Sequence, residues 1–294
     1  MSVMAPLITV VIPAFNRSEK ILRALKSVQN QTYENWEAIV VDDASKDNTV
    51  KSVQGLSFQD RRISCVLHSS NKGAQAARNT GIRKALGEWV AFLDSDDEFL
   101  PESLAARINI ALTEKSSAVH SHAYIMHTDK ARMTYAAPAF RGRIYKDILK
   151  KDGPTFPALL VQKKSLENIG YLDEDILAFQ EWDTYIRLAQ CCTFSFLPKE
   201  TFVYDYTGED SISRDSNRGA YGYKQIVQKH FWKMWLYGGA RTIGYHYAVI
   251  SRWYQMGEDE ANAKKYRIKS LIWKMISPGV LLNKLRNMVT PNGN

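Results

Sequence analysis

The first hundred residues alternate between short apolar runs and stretches with helical spacing. Residues 7–12 (LITVVI) form a continuous apolar run rich in β-branched side chains, the signature of a strand buried on both faces, which Pro13 is expected to end. In 18–30 (SEKILRALKSVQN), Ile21, Leu22, Leu25 and Val28 recur on one helical face, with Ser18 as the expected N-cap. WEAIVV (36–41) predicts a second buried strand running into Asp42-Asp43. A weaker helix (47–54), a strand (62–68), a helix (74–86) and a strand (88–93) continue the series. This alternation predicts right-handed βαβ units and a mainly parallel sheet with helices on both faces. After residue 100 the pattern loosens. A helix is expected over 101–113, with Pro101 in its first turn, a strand over 117–126, and helices over 163–170 and 181–191. A stretch rich in Gly, Pro and Arg covers 136–157. Beyond 217 the pattern is helical, with Gly238-Gly239, Gly257 and Pro278 as expected breaks.

Charge divides the chain more sharply than hydrophobicity does. The net charge of the 294 residues is +8. Residues 1–210 carry 25 basic and 27 acidic side chains, whereas 211–294 carry 14 and 4. The last segment also holds Trp232, Trp235, Trp253 and Trp273, four of the seven tryptophans. The step predicts two domains, 1–214 and a basic, aromatic-rich helical region over 215–294. Basic and aromatic residues mixed on helices suit an anionic membrane surface; a helical appendage that buries its aromatics and solvates its lysines is the plainer alternative. The chain has no run of 18 apolar residues and no signal-peptide pattern, and its three cysteines lack CxxC spacing. A cytoplasmic protein, peripheral at most on the inner membrane face, is the expectation.

Ligands of parallel sheets bind beyond the carboxyl ends of the strands. The residues expected there are Pro13, Ala14, Phe15 and Asn16, then Asp42 and Asp43, then Asp94, Ser95, Asp96 and Asp97. Alternate residues of an extended segment face the same way, so Asp94 and Asp96 address one ligand, and two carboxylates suit a hard divalent cation such as Mg²⁺ or Mn²⁺. An acidic loop capping the next helix is the plain alternative. Asp42, Asp43 and Asp47 read either as a helix-capping cluster or as acceptors for a base N–H or ribose hydroxyl. Glu181 and Asp183 open a helix where the dipole alone favours acids, but a glutamate there also serves as a general base. Lys72-Gly73-Ala74 with Arg78 one turn later reads as a diphosphate approach or as a simple cap. There is no GxGxxG, GxxxxGK[ST], HExxH or GxSxG, and His120 and His122 lack the carboxylate or cysteine company of a zinc site.

Together ITVVIPAFNR (8–17), QTYENWEAIVVDDASKDNT (31–49), NKGAQAARNTGIRKALGEWVAFLDSDDEF (71–99) and GYLDEDILAFQEWDTYIRLA (170–189) resemble the family 2 glycosyltransferases, in the family's order and spacing, over about 7–214. The resemblance implies a GT-A fold and inverting transfer from a nucleotide-sugar, with UDP the commonest base, to a surface glycan such as lipopolysaccharide, O-antigen or capsule, on a free or lipid-linked acceptor. It implies donor-base contacts from Pro13 and Phe15, a base N–H partner in Asp43 supported by Asp42, and nucleotide binding by Arg78. Asp94 and Asp96 fall on the DxD pair, Asp96 nearest the metal and Asp94 between ribose and metal. Glu181 falls on the catalytic base, where many relatives have Asp. Trp182 and Asp183 would line the acceptor site or orient the base. One element departs from the family: a Tyr-Arg-x-His followed by Ser-x-Ser is replaced by Tyr204-Asp205-Tyr206-Thr207 and Ser211-Ile212-Ser213, with Arg214 as a substitute cation. A catalytically inactive GT-A module and a nucleotidyltransferase are the competing classes. Pro13-Ala14-Phe15-Asn16 lacks the Gly-rich basic character of the latter's loop, and the basic tail contains no nucleic-acid-binding module.

Overall fold

A computed structural model describes residues 5–126, 131–206 and 215–276. Strand β1 (Ile8–Ala14) is buried along its whole length. It runs through Pro13 rather than ending there. Its pairing with β4 (Trp89–Phe92) stops at Val11↔Phe92, so on that side nothing requires the missing N–H. Strand β2 (Trp36–Asp42) pairs parallel with β1, and β3 (Ile63–Leu67) pairs parallel with β2. Helix α1 (Lys20–Gln29) starts after Glu19, and Ser18 does not cap it; the Ser18 N–H instead donates to Asp47 Oδ2 at 3.1 Å. Helices α2 (Thr49–Gln59) and α3 (Ala74–Lys84) complete the alternating half.

The strand pleat sends alternate residues of β1 to opposite layers. Ile8, Val10 and Ile12 join Ile21, Leu25 and Val28 of α1 and Leu104 and Ile108 of α4 (Ser103–Glu114) in one core. Ile39, Val41 and Ala77 form a second, smaller one. A Cβ added at Gly81 of α3 would lie 2.4 Å from Val11 Cγ1, so a glycine is what lets α3 approach the strand.

Past residue 97 the sheet becomes mixed. Its remaining described strands are β5 (Glu98–Phe99), β6 (Ala118–Met126), β7 (Arg132–Tyr135), β8 (Leu160–Gln162) and β9 (Phe194–Asp205). The order is β3-β2-β1-β4-β8-β6-β9-β5, with β7 on β6. β8 is antiparallel to both β4 and β6, and β5 is antiparallel to β9, while β6 and β9 are parallel. The sheet is parallel through β3-β2-β1-β4, as expected, and mixed beyond it. Strand β9 was invisible in the pattern because Pro198 and Lys199 interrupt it; the register with β6 jumps from Ser121↔Leu197 to His122↔Glu200, and the proline sits in that bulge. Helices α5 (Tyr145–Ile148), α6 (Lys163–Asn168) and α7 (Gln180–Leu188) and a 3₁₀ turn at Phe156–Ala158 connect this half.

The chain divides into two compact units. The first holds the sheet. The second combines Lys146–Asp152 and Asp175–Gln180 with α8 (Ser216–Lys229), α9 (Phe231–Met256) and α10 (Glu260–Met275). Asp215 and Asp259 cap α8 and α10 by accepting from Arg218 N and Asn262 N. Gly239 breaks α9 with φ 68°, and Gly257 ends it. Pro278 lies outside the described residues. Ser270 Oγ donates to Gly244 O and Ser251 Oγ to Ala263 O, which sets α9 and α10 antiparallel. His246 is fully buried; its Nε2–H donates to Leu149 O and its Nδ1 accepts from Tyr223. Burial pushes its imidazole down to about 4.

Candidate active site

Four parallel strands end on one edge; His68, Asp43 and Phe15 directly follow β3, β2 and β1, and Asp94 stands two residues past β4. The loops after β1 and β2 are stitched together. Asn16, in the left-handed region at φ 51°, donates its N–H to Ser45 Oγ (2.9 Å) and accepts from Lys46 N (2.8 Å). Asp47 accepts from Thr49 N and Ser18 N; burial alone would raise its carboxyl, but these bonds outweigh it and hold it below the usual range. Asp47 is thus the capping member of its cluster. Phe15 remains 41% exposed, a free aromatic face beside the edge.

Asp42 and Asp43 are both buried, with different roles. Asp42 Oδ2 accepts from Ser45 N at 2.9 Å, while its Oδ1 is buried with no hydrogen-bond partner. Asp43 is a latch. It accepts from Gly73 N (2.7 Å), from Lys72 N (2.9 and 3.1 Å) and from His68 Nδ1–H (2.7 Å), whose Nε2 lies 2.9 Å from Thr80 Oγ1. The amides of Lys72 and Gly73, read above as an approach to a diphosphate, are therefore spent on Asp43. Gly73 reaches it with φ 90°, a conformation natural to glycine.

The acidic turn after β4 is crowded. Arg78, buried on α3, donates to Asp94 Oδ1 (2.5 Å) and to Gln75 Oε1 (2.8 Å), and its guanidinium lies 4.5 Å over the Phe156 ring. Arg17 approaches Asp96 to 3.8 Å. Burial, then the neighbouring Asp94, raises the Asp96 carboxyl. Asp97 is pushed well above its ordinary range by burial and by Asp94 and Asp96; its Oδ1 accepts from Asp205 N (3.0 Å) and its Oδ2 is buried without a partner. Like charges packed this closely are relieved by a cation placed between Asp94 and Asp96, so the residues fit a divalent ion. Among the described residues no group of three or more His, Cys, Asp or Glu is placed to hold a metal ion.

Glu181 occupies the first turn of α7 and is half-buried. Behind it Trp182 is fully buried and Asp183 nearly so. Asp183 Oδ2 pairs with Arg187 Nη1 (3.3 Å), and Arg187 Nη2 donates to Ile169 O and Tyr171 O. Asn79, the residue after Arg78, holds the same loop from α3: it donates to Leu172 O (2.9 Å) and Glu174 Oε1 (2.7 Å) and accepts from Leu172 N (2.9 Å). Residues 169–174, upstream of Glu181, are thus bracketed by α7 and α3. The segment 207–214, which carries Thr207, the Ser211–Ser213 pair and Arg214, lies outside the described residues.

Sequence reasoning passed over Arg17 and His68, and placed Asp97 at the edge without giving it a role. The rule that flagged Asp42 and Asp94 also covers His68, the residue after β3. Arg17 is visible as the next cation after Phe15. Asp97 gives no local signal, since only its burial distinguishes it from its neighbours.

A half-parallel sheet with carboxylates gathered at its C-terminal edge defines an α/β protein of the GT-A type. Two solved structures share this fold. One is the mannosyltransferase PcManGT of Pyrobaculum calidifontis with GDP-Man and Mn²⁺ (TM-score 0.65, 17% identity, 97% of this chain and 80% of that one). The other is S. aureus TarS 1-349 with UDP-GlcNAc (TM-score 0.62, 15% identity, 92% and 89%). Residues 9–170 match the family described as Glycosyl transferase family 2, and the chain belongs to that family. Among its relatives are the E. coli UDP-Glc:alpha-D-GlcNAc-diphosphoundecaprenol beta-1,3-glucosyltransferase WfgD (35% identical over 147 residues, 50% of this chain and 56% of that protein) and the Campylobacter jejuni GalNAc(5)-diNAcBac-PP-undecaprenol beta-1,3-glucosyltransferase (28% over 297 residues, 94% and 92%). The chain spans only part of the first relatives it matches, from 32% to 56% of their length.

Proposed function

We propose that this chain transfers a sugar, with inversion, from a UDP-sugar to a hydroxyl of a lipid-linked bacterial surface glycan. The observation that carries the reading is the single edge on which an exposed Phe15, the Asp94–Arg78 pair and Asp96 follow strands β1 and β4. The UDP donor and the undecaprenol-linked acceptor are supported by the names of the E. coli and Campylobacter relatives. Phe15 stacks on the donor base, with Pro13 and Asp42 beside it and Asp43 setting the 68–73 loop. Asp94 and Asp96 hold a divalent cation, Mn²⁺ or Mg²⁺, which when bound neutralises charge on the leaving diphosphate. Arg78 fixes Asp94. Glu181 takes the proton from the acceptor hydroxyl, a step worth about 10²–10⁴-fold. Trp182 and Asp183 are buried, which favours orienting the base over lining an acceptor groove.

A panel of nucleotide-sugars, each with and without Mn²⁺ and read as released nucleotide, tests the donor and the metal together. Glu181→Gln is expected to lose transfer and keep nucleotide affinity. No release from any nucleotide-sugar points to an inactive module, and pyrophosphate release from a nucleoside triphosphate to a nucleotidyltransferase.

A second reading concerns the basic unit, and its partner is an anionic bilayer. On α10, Ile268, Leu271, Ile272 and Met275 form an exposed stripe at i, i+3, i+4 and i+7. On another face of α10 Trp273 meets Phe231 of α9 at 5.7 Å between ring centroids, and α9 itself exposes Trp232 (73%), Trp235 and Leu236. Lys233 and Lys274 flank these residues, and Glu258, Asp259 and Glu260 gather at the far end of α10. Apolar contact ringed by lysine suits the interface of an anionic membrane. Among the described residues no helix is long and apolar enough to cross a membrane. The protein should sediment with phosphatidylglycerol vesicles at low salt and lose that binding on Trp232→Ala; equal behaviour with phosphatidylcholine vesicles sinks the idea.

A further inference from the structure

We propose that the helical unit acts as a positioning clamp on the chain that runs into Glu181; this rests on the assignment of Glu181 as the base. Residues Asp175–Gln180 belong by contact to that unit, and the next peptide bond enters Glu181. The grip comes from one face of α8, where Arg218, Gly222 and Gln225 stand at i, i+4 and i+7. The Gln225 amide works in both directions. Its Nε2 donates to Asp175 O (2.9 Å) and its Oε1 accepts from Leu177 N (3.1 Å), so a side chain replaces two strand-like backbone bonds. Arg218 Nε donates to Leu177 O at 3.0 Å. Gly222 lets the segment lie against the helix: a Cβ there would stand 2.5 Å from Ala178 N and 2.7 Å from Ala178 O.

Phe179 is the last anchor before the α7 turn. It is held in the left-handed region at φ 59°, which a bulky side chain adopts only when its surroundings impose it. Its ring makes edge contacts with Tyr223 (5.3 Å) and Trp253 (5.4 Å). Gly219 makes room for this clip, since a Cβ there would lie 2.9 Å from Trp253 Cε3. Two backbone carbonyls, one amide and one ring are therefore fixed within five residues, the last of them the strained Phe179, two residues before Glu181. A base displaced by an ångström loses much of its effect on rate, while donor binding at the strand edge does not depend on it.

Gly222→Ala is the direct wedge. Alanine favours the helix, so α8 is kept while its Cβ drives Ala178 away. The expected result, with the UDP-sugar that the donor panel selects, is a 10- to 100-fold fall in kcat, a donor KM within about twofold of the parent, and faster amide exchange at 176–181. Gln225→Ala should move the same three readouts the same way, and Gln225→Glu, which keeps only an acceptor for Leu177 N, should recover part of kcat. A Gly222→Ala enzyme with parental kcat overturns the proposal, as does a parallel loss of kcat and donor affinity. If Glu181→Gln keeps full turnover, the base assignment fails instead, whatever the exchange at 176–181 shows.

Discussion

Asp43→Asn separates two roles that one aspartate can play at this edge. The structure gives Asp43 three donors on its carboxylate: Gly73 N, Lys72 N and His68 Nδ1–H. Asparagine has the same shape but only one acceptor oxygen. Its least costly placement keeps that oxygen toward Gly73 N and Lys72 N, where Oδ2 stood, and turns the amide N–H toward His68, which changes tautomer to accept it. Lys72 N then faces an N–H group across 2.9 Å, and the bonds that remain lose their charge assistance. Charge-assisted bonds exceed neutral ones by about 1 kcal/mol each, so the loss is ~2–3 kcal/mol. For a domain of this size that corresponds to ~4–12 °C in Tm. Thermal melts of both proteins by circular dichroism measure it, with UDP affinity by calorimetry alongside. A variant whose Tm stays within about 1 °C of the parent refutes the latch. If UDP affinity falls while Tm holds, Asp43 touches the base directly.

Two further outcomes follow from packing and burial. Gly81→Ala gains ~1 kcal/mol of helix propensity but forces a Cβ to 2.4 Å from Val11 Cγ1, so urea titration should show a net loss of up to ~2 kcal/mol, largely recovered in Gly81→Ala/Val11→Ala; additive single effects would contradict the contact. His246, held near 4 in the fold against 6.5 in the unfolded chain, contributes stability that is complete above pH 6.5 and is lost as pH falls toward 4. The raised carboxyls of Asp96, Asp97 and Asp152 act in the opposite direction but are common to both proteins, so the stability gap between parent and His246→Gln should narrow by roughly 2 kcal/mol between pH 6.5 and 5; a constant gap rejects the assignment.

The sequence by itself determined the half of the protein where the chemistry gathers. Buried parallel strands are continuous apolar runs, each followed closely by its helix, so β1 to β4 are legible from neighbours a few residues apart. Once they are placed, Phe15, Asp42, Asp43, Asp94 and Asp96 fall on their ends. The class of protein was legible for the same reason, because these motifs sit at the turns the strands leave open. Tertiary structure alone decided the rest. Strands of two or three residues, such as β5 and β8, carry no period of their own and exist only through partners as far away as Val203 and Ala118. Asp43 looks like any ligand carboxylate until the amides of residues 72 and 73 arrive on it. The segment 175–180 reads as an ordinary loop, yet its hydrogen bonds and its strained Phe179 are set by helices that begin some forty residues later. Local pattern records which faces are apolar; it carries no record of which distant group will meet a given polar atom, and that pairing is what gives Asp43, Asp97 and Gln225 their roles.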